Sequence, residues 1–339
     1  MRPSFHPRLI NGPFDDPGLF IPFFFQNRAL IFDLGDINGL PAKDILKISH
    51  IFVTHTHMDH FIGFDHLLRM MLGRDKILSF FGPCGFIKNV AGKLSGYTWN
   101  LADKYNYPLC LQITEVHRDF SLSRKYWCRD RFEPLQEAVK QPFDGILYEE
   151  PAFSVSAVTL DHKIPCLGLS VKERFHVNII KEGLKRLNLE PGPWLTVFKQ
   201  ALYDRTDPAA EFEVTTPGQP DKKQFALGNL AGQIARITPG QKITYITDVV
   251  YSNSNREKIV EFARDSDHLF IEAVFMDKDR DLARDKGHLT ARQAGKLAAR
   301  SGAKQFKIFH FSPRYTDQES LLYEEAFETY KKNVSASAL

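Results

Sequence analysis

Two rhythms of apolar and polar positions divide the chain. Short runs rich in β-branched and aromatic residues occur at 29–32, 51–54, 77–81, 153–160, 242–248, 269–275 and 306–310. Their length and their bounding turn residues predict strands, and 153–160 alternates apolar and polar residues along its whole length. Between them, spacings that suit one helical face predict helices from 61 to 69, near 86–95, at 254–264, from 288 onward and at 317–331. Residues 43–48 read as a short linking helix or turn. Thr290 and Gln293 have the spacing of a capping box, and Gly302 stops that helix after Ser301. Residues 1–28 are rich in Pro and Phe without clear periodicity, so the first predicted strand is 29–32. Segment 108–150 alternates short strands with polar turns.

One stretch breaks the alternation. Residues 170–225 carry a charged helical segment around Lys181, Lys185 and Arg186, then Gly192-Pro193, a charged tract at 204–213, and turn residues Pro217, Gly218 and Pro220. The composition predicts an excursion that leaves the main fold and returns to it. The rest predicts one α/β domain over 1–339, with no internal repeat and no low-complexity segment.

Composition narrows the class only modestly. A formal net charge of +3 neither implies a nucleic-acid partner nor opposes a polyanionic one. Cys84, Cys110, Cys128 and Cys166 form no Cys-x-x-Cys pair, which argues against a disulfide framework or a zinc knuckle and favours a reducing cytoplasm. The apolar patch 19–25 is short and interrupted by Pro22, so neither a signal peptide nor a membrane span is expected.

The chemistry concentrates in His55-Thr56-His57-Met58-Asp59-His60, directly after a predicted strand and before a predicted helix. Open α/β architectures place their sites at such strand exits. His55 and His57 are two apart and can face one side of an extended backbone, while Asp59 and His60 follow the bend. Imidazole with carboxylate suits zinc first, then manganese or iron. Asp33, in Asp33-Leu34-Gly35, reads either as a support for this loop or as a plain turn carboxylate. Gly82-Pro83-Cys84-Gly85 either ends a strand or cradles an anion through its amides.

The His-x-His-x-Asp-His pattern resembles the signature of the metallo-β-lactamase superfamily. That resemblance implies an αββα sandwich of two packed mixed sheets flanked by helices, with a metal site at one edge. It marks His162, Asp248 and His310, each at a predicted strand exit, as further ligands. In the pattern of the superfamily, His55, His57 and His162 hold one divalent ion, Asp59, His60 and His310 hold a second, and Asp248 bridges them. Two such ions, zinc or else manganese, suit in-line displacement at phosphorus.

Ile271-Glu272-Ala273, His288-Leu289-Thr290-Ala291-Arg292-Gln293 and His310-Phe311-Ser312-Pro313-Arg314-Tyr315 are similar to late motifs of the ribonuclease Z branch. The resemblance assigns Glu272 and His288 to a pair that protonates the leaving 3′-oxygen or steadies transition-state charge. Asp59 joins them in the catalytic set. Ser312, Arg314 and Tyr315 are candidate substrate contacts, Arg314 as a phosphate fork and Tyr315 as a donor or a stacking surface, or else a surface pair at a loop. The resemblance also makes 170–225 an arm that grips tRNA, with Gly192 and Pro193 at its characteristic Gly-Pro. A solvated hairpin or a contact in a homodimer is the other reading of that arm.

Three features depart from the branch: the N-terminus lacks its glycine-rich opening and Arg-Asn element, Met58 replaces a glycine, and Leu289 replaces a small polar residue. The expected function is a dinuclear zinc phosphodiesterase acting on precursor tRNA. The alternatives are a hydrolase of small diesters such as cyclic nucleotides, and a metal-stabilised nucleic-acid-binding protein without turnover.

Overall fold

The computed structural model describes residues 5–24, 26–107, 109–215 and 222–337. Residues 217–221 of the expected turn-rich segment lie outside the described residues. The chain divides into two compact units. The smaller comprises Tyr148–Ser154 and Lys172–Gln241, the larger Phe5–Leu147, Val155–Val171 and the chain from Lys242 onward.

The first sheet of the larger unit has eight strands in chain order: β1 (Arg8–Leu9), β2 (Leu19–Pro22), β3 (Ala29–Phe32), β4 (Ile48–Phe52), β5 (Lys76–Pro83), β6 (Leu109–Val116), β7 (Phe120–Trp127) and β8 (Val139–Pro142). Strands β3 to β6 are parallel, so their carboxyl ends share one edge. Helices α1 (Ala42–Ile45), α2 (Met58–Phe61), α3 (Phe64–Met71) and α4 (Phe86–Ser95) connect them. Period-two geometry sorts their side chains. Ile31, Ile51 and Phe80 pack outward with Leu67 of α3 and Val90 of α4, while Phe32, Phe52 and Phe81 form a ladder of rings on the other face.

The second sheet runs in the order β18 (Phe306–Phe309), β17 (His268–Glu272), β16 (Lys242–Ile246), β11 (Pro165–Glu173), β10 (Phe153–Asp161), β9 (Ile146–Glu149). Strands β16, β17 and β18 are parallel. Ile246, Ile271 and Ile308 pack with residues of α8 (Asn253–Phe262), α9 (Arg280–Lys286), α10 (Ala291–Arg300) and α11 (Glu319–Ser337). On the opposite face Tyr245 stacks on Phe309 and meets Phe32 of the first sheet at 6.1 Å. Two sheets therefore face each other through aromatic rings, with helices outside each. Burial of these apolar faces drives the arrangement.

The smaller unit pairs β12 (Phe175–Ile179) with β15 (Ala235–Pro239) and β13 (Glu211–Val214) with β14 (Lys223–Ala226), both antiparallel. Helices α5 (Lys181–Arg186), α6 (Trp194–Tyr203) and α7 (Leu227–Ile234) close its own core around Trp194, Phe198, Leu230 and Ile234. The unit continues past residue 225 through α7 and β15, whose apolar residues complete that core.

The structure corrects the reading of the N-terminus. Residues 8–9 and 19–22 form strands that extend the first sheet before residue 29. Leu19, Phe20 and Ile21 are all fully buried, so β2 has no polar face and shows no alternation. Among the described residues, no helix is long and apolar enough to cross a membrane. All four cysteines are free thiols.

Candidate metal centre

The histidine loop leaves β4 through Val53 and Thr54. His57 is the extended N-cap residue of α2, so Asp59 and His60 lie in the first turn of a four-residue helix. Close backbone contact fixes this bend. A Cβ on Gly63 would lie 2.2 Å from the Gly35 carbonyl, so only glycine fits there. Met58, which replaces a glycine of the branch, is 76% exposed and meets no such restriction. Leu289 is fully buried among the helices outside the second sheet, where an apolar residue fits.

Asp33 organises the loop, and its burial removes the reading as a plain turn carboxylate. Its carboxylate accepts hydrogen bonds from the Thr54 backbone N–H (2.7 Å), the Thr54 hydroxyl (2.9 Å), the Tyr245 hydroxyl (3.1 Å) and His60 Nδ1 (2.8 Å). Thr54 Oγ1, having donated to Asp33, accepts from His55 Nδ1 at 3.1 Å. The Gly287 carbonyl holds His162 Nδ1 at 2.8 Å. In His55, His60 and His162 Nδ1 is thus occupied by an orienting partner, and Nε2 is turned inward. Gly287 ends α9 with φ +84°, a left-handed conformation that suits glycine.

Every ligand expected from the sequence arrives at this edge. One ligating atom each from His55, His57, His162 and Asp248 lies within 4.8 Å of the others, and so do those of Asp59, His60 and His310. The Asp248 carboxylate lies between the groups. Its Oδ2 is 3.5 Å from His55 Nε2 and 3.4 Å from His162 Nε2, and its Oδ1 is 3.5 Å from His60 Nε2 and 2.9 Å from His310 Nδ1. Asp33, Asp248 and His310 have φ of +59°, +37° and +63°. Non-glycine residues adopt such backbones at a cost, and here all three stand just past strand ends at the site.

The electrostatics fit cation binding. His55 Nε2 is buried without a hydrogen-bond partner, and His60 Nε2 comes no nearer than 3.5 Å to a carboxylate, an expensive arrangement unless an ion takes up the lone pairs. Burial, followed by the charge on His60, pushes His55 down to about 2. Burial acts against charge on His60 and His310 too, but Asp248 together with Asp33 (for His60) and Asp59 (for His310) outweighs it. His60 is raised well above its ordinary value and His310 to about 10. Asp248 is held well below the carboxylate range, as His310 and His60 overcome its burial. Without a cation, protons on imidazole balance the carboxylates. The donor set of imidazole and carboxylate fits divalent metal.

Glu272 and His288 sit beside this group. Glu272 is fully buried, with Oε1 accepting the Val249 N–H at 2.7 Å and Oε2 lying 3.1 Å from His288 Nδ1. Burial of the imidazole is outweighed by the charge and hydrogen bond of Glu272 together with the charge of Asp248, so His288 is raised above its ordinary value. His288 does not open a helix, as its motif suggests. It lies between α9 and α10, whose N-cap is Thr290 with the full capping box.

The expected substrate contacts differ in placement. Arg314 is exposed and 3.6 Å from Asp279, and Ser312 caps its backbone N–H at 3.4 Å. Tyr315 is only 2% exposed and its hydroxyl donates to Asp279, so its ring offers no stacking surface. Gly192 and Pro193, in the smaller unit, start α6 by accepting from the N–H groups of Leu195 and Thr196, both at 3.0 Å. The Gly82–Gly85 turn ends β5 and leads into α4, whose Ile87 N–H donates to Glu115 at 3.0 Å.

Sequence reading missed the supporting groups Thr54, Tyr245 and Gly287. A tyrosine in an apolar strand needs a hydroxyl partner, but only the fold names that partner. It also missed the N-terminal rim. The Gly35 N–H donates to the Pro17 carbonyl, and the Phe311 N–H to that of Pro13. Asp16 is raised by burial and then by Asp59.

Residues 171–311 match the family described as the beta-lactamase superfamily domain. A metallo-beta-lactamase fold protein of Bacillus subtilis superposes with a TM-score of 0.51 at 14% identity, covering 96% of this chain and 94% of its own, a likeness of fold. The ribonuclease Z of Nanoarchaeum equitans is 29% identical over 88% of this chain and 79% of its own length. That of Deinococcus radiodurans is 31% identical over 87% of this chain and 85% of its own. On that similarity the chain belongs to the ribonuclease Z family, a branch of the metallo-β-lactamase superfamily of metal-dependent hydrolases.

Proposed function

We propose that the chain is a dinuclear zinc phosphodiesterase that removes 3′ trailers from precursor tRNA in the cytoplasm. The observation that carries this reading is the Asp248 carboxylate, with one oxygen toward His55 and His162 and the other toward His60 and His310. Two divalent ions held by these residues would neutralise phosphate charge and lower the pKa of an attacking water. The protein supplies the rest. Asp33, Thr54 and the Gly287 carbonyl fix the imidazoles, so little reorganisation accompanies the reaction. Glu272 holds His288 through Nδ1, leaving Nε2 to deliver a proton to the departing 3′-oxygen. Phosphate recognition is assigned to the exposed Arg314, whose guanidinium offers a planar fork.

RNA recognition is assigned to the smaller unit, with Lys181, Lys185 and Arg186 exposed on α5. Incubating zinc-loaded protein with a 3′-extended precursor tRNA should give a single cut at the trailer, mapped by sequencing product ends. Turnover of a cyclic nucleotide with the precursor left intact would refute the tRNA assignment. Reversing all three charges, as Lys181→Glu with Lys185→Glu and Arg186→Glu, should weaken precursor binding. The log–log salt slope should fall by up to about 3, roughly one per lost phosphate contact. Hydrolysis of a small chromogenic diester should be unchanged, and equal loss of both activities would make α5 structural.

Metal loading offers a further check. The histidine-rich centre of the metal-free protein should take up about two zinc ions per chain, and one or none there would exclude the dinuclear reading. His60 and His310 are protonated near neutrality in the metal-free protein, so uptake releases protons. Affinity should therefore rise with pH toward about 10, where His310 loses its proton unaided. Calorimetric enthalpies should differ between phosphate and Tris buffers by the buffers' own ionisation heats. Identical enthalpies would contradict proton release.

A further inference from the structure

Outside this centre, a second group of metal-ligand types converges where β5 and β6 end. Cys84 Sγ, a carboxylate oxygen of Glu115 and a ring nitrogen of His117 lie within 4.8 Å of one another. The strands set this up. Gly82 pairs with Glu115 and Pro83 with Val116, so Cys84 and His117 leave neighbouring strands at one level. Glu115 and His117, two apart, point to the same face.

Two of the three side chains are already fixed. Glu115 is 8% exposed, and its Oε2 accepts the Ile87 N–H, which leaves Oε1 to meet His117 Nε2 at 2.9 Å. The His117 ring is stacked on Phe120 with centroids 4.2 Å apart. Cys84 is exposed in the turn before α4, beside Gly85 with φ +91°.

We propose that Cys84, Glu115 and His117 form a separate site for one thiophilic divalent cation of the zinc class. Thiolate, imidazole and carboxylate together select zinc or cobalt over magnesium, calcium or manganese. Tetrahedral zinc places such donors about 3.3–3.6 Å apart, given its usual bond lengths. The Glu115–His117 pair opens slightly to admit the ion, and Cys84 closes by about an ångström from a solvent-exposed turn. Binding displaces the thiol proton, and the imidazole presents Nε2 to the ion with its proton on Nδ1. Three protein ligands leave the fourth position to water. The ion would pin the start of α4, a helix that also holds the histidine loop through Asn89 Nδ2 donating to Thr56 Oγ1 at 2.6 Å.

Cobalt loading of the full chain tests the site, because thiolate bonded to cobalt gives a near-ultraviolet charge-transfer band that imidazole and carboxylate do not. One thiolate-bound cobalt per chain is expected. Cys84→Ser should abolish the band while keeping the visible absorption of cobalt at the histidine-rich centre, which also reports an intact fold. His117→Gln should keep the band but weaken the affinity behind it by more than the ~10–100-fold typical of losing an outer-shell partner. Absence of the band in the unmodified protein would overturn the proposal. So would its survival in Cys84→Ser, which would assign it to another cysteine such as Cys166, 3.8 Å from His55.

Discussion

His288→Ala should lower phosphodiester cleavage by ~10²–10⁴, the range for loss of a general acid, with metal content and RNA affinity nearly unchanged. The expectation follows from placement. His288 lies beside Asp248, with Nδ1 4.0 Å from Oδ2, but its closer partner is Glu272 at 3.1 Å. The groups His55–His57–His162–Asp248 and Asp59–His60–His310 are complete without it, although a ring nitrogen of His288 also lies within 4.8 Å of donor atoms of Asp248, Glu272 and His310. Elemental analysis of the variant decides whether the rate loss comes from proton transfer or from an emptied site. Metal loss alongside the rate would make His288 a ligand, and full turnover on a poor leaving group would remove it from the mechanism. The pH profile gives the sign of the Glu272 contribution. Glu272 raises His288, so the acid form persists to higher pH than for a free imidazole. Glu272→Gln removes that charge, the ring loses its proton at lower pH, and the alkaline limb of the rate profile should move down. An unmoved limb would dissociate Glu272 from the proton.

Asp33→Ala should cost the fold ~3–5 kcal/mol, the usual penalty for removing one partner of a buried charge pair. Asp33 is fully buried and accepts from the Thr54 amide and hydroxyl, Tyr245 and His60, so truncation leaves all four donors without that acceptor. Chemical denaturation of the metal-free protein measures the effect free of any contribution from bound ions. Asp33→Asn should lose less, since an amide oxygen still accepts from Thr54 and Tyr245 but no longer balances a charged His60. Because Thr54 orients His55, zinc affinity should fall in Asp33→Ala as well. Stability equal to the unmodified protein would mean that the loop holds itself.

Local pattern made β3, β4, β5, β10, β16, β17 and β18 legible, because an apolar run bounded by turn residues has few other outcomes, but not β11 in the middle of the second sheet. The density of ligands at 55–60 announced the centre for a similar reason, since packing rarely requires such a cluster. Strand β2 escaped notice because burial on both faces erases alternation, and Pro22 reads as a breaker although it closes a strand near the sheet edge. Tyr315 was misread because an aromatic after an arginine looks like a surface pair. Its burial depends on Phe275, which packs against its ring from a distant strand exit.

By itself the sequence singled out the ligand-type residues of 55–60, since donor type and position at a strand exit are local properties of the chain, and the family resemblance added His162, Asp248 and His310. Tertiary structure decided which nitrogen of His55, His60 and His162 faces inward. That choice depends on Asp33, Thr54 and the Gly287 carbonyl, and Gly287 is 125 residues from the His162 it orients. It also decided that one carboxylate stands between two ligand groups, and that Cys84 meets Glu115 and His117 across adjacent strands. Side-chain chemistry is written residue by residue, whereas separations of a few ångströms between distant residues are set by strand register and by packing of the two sheets.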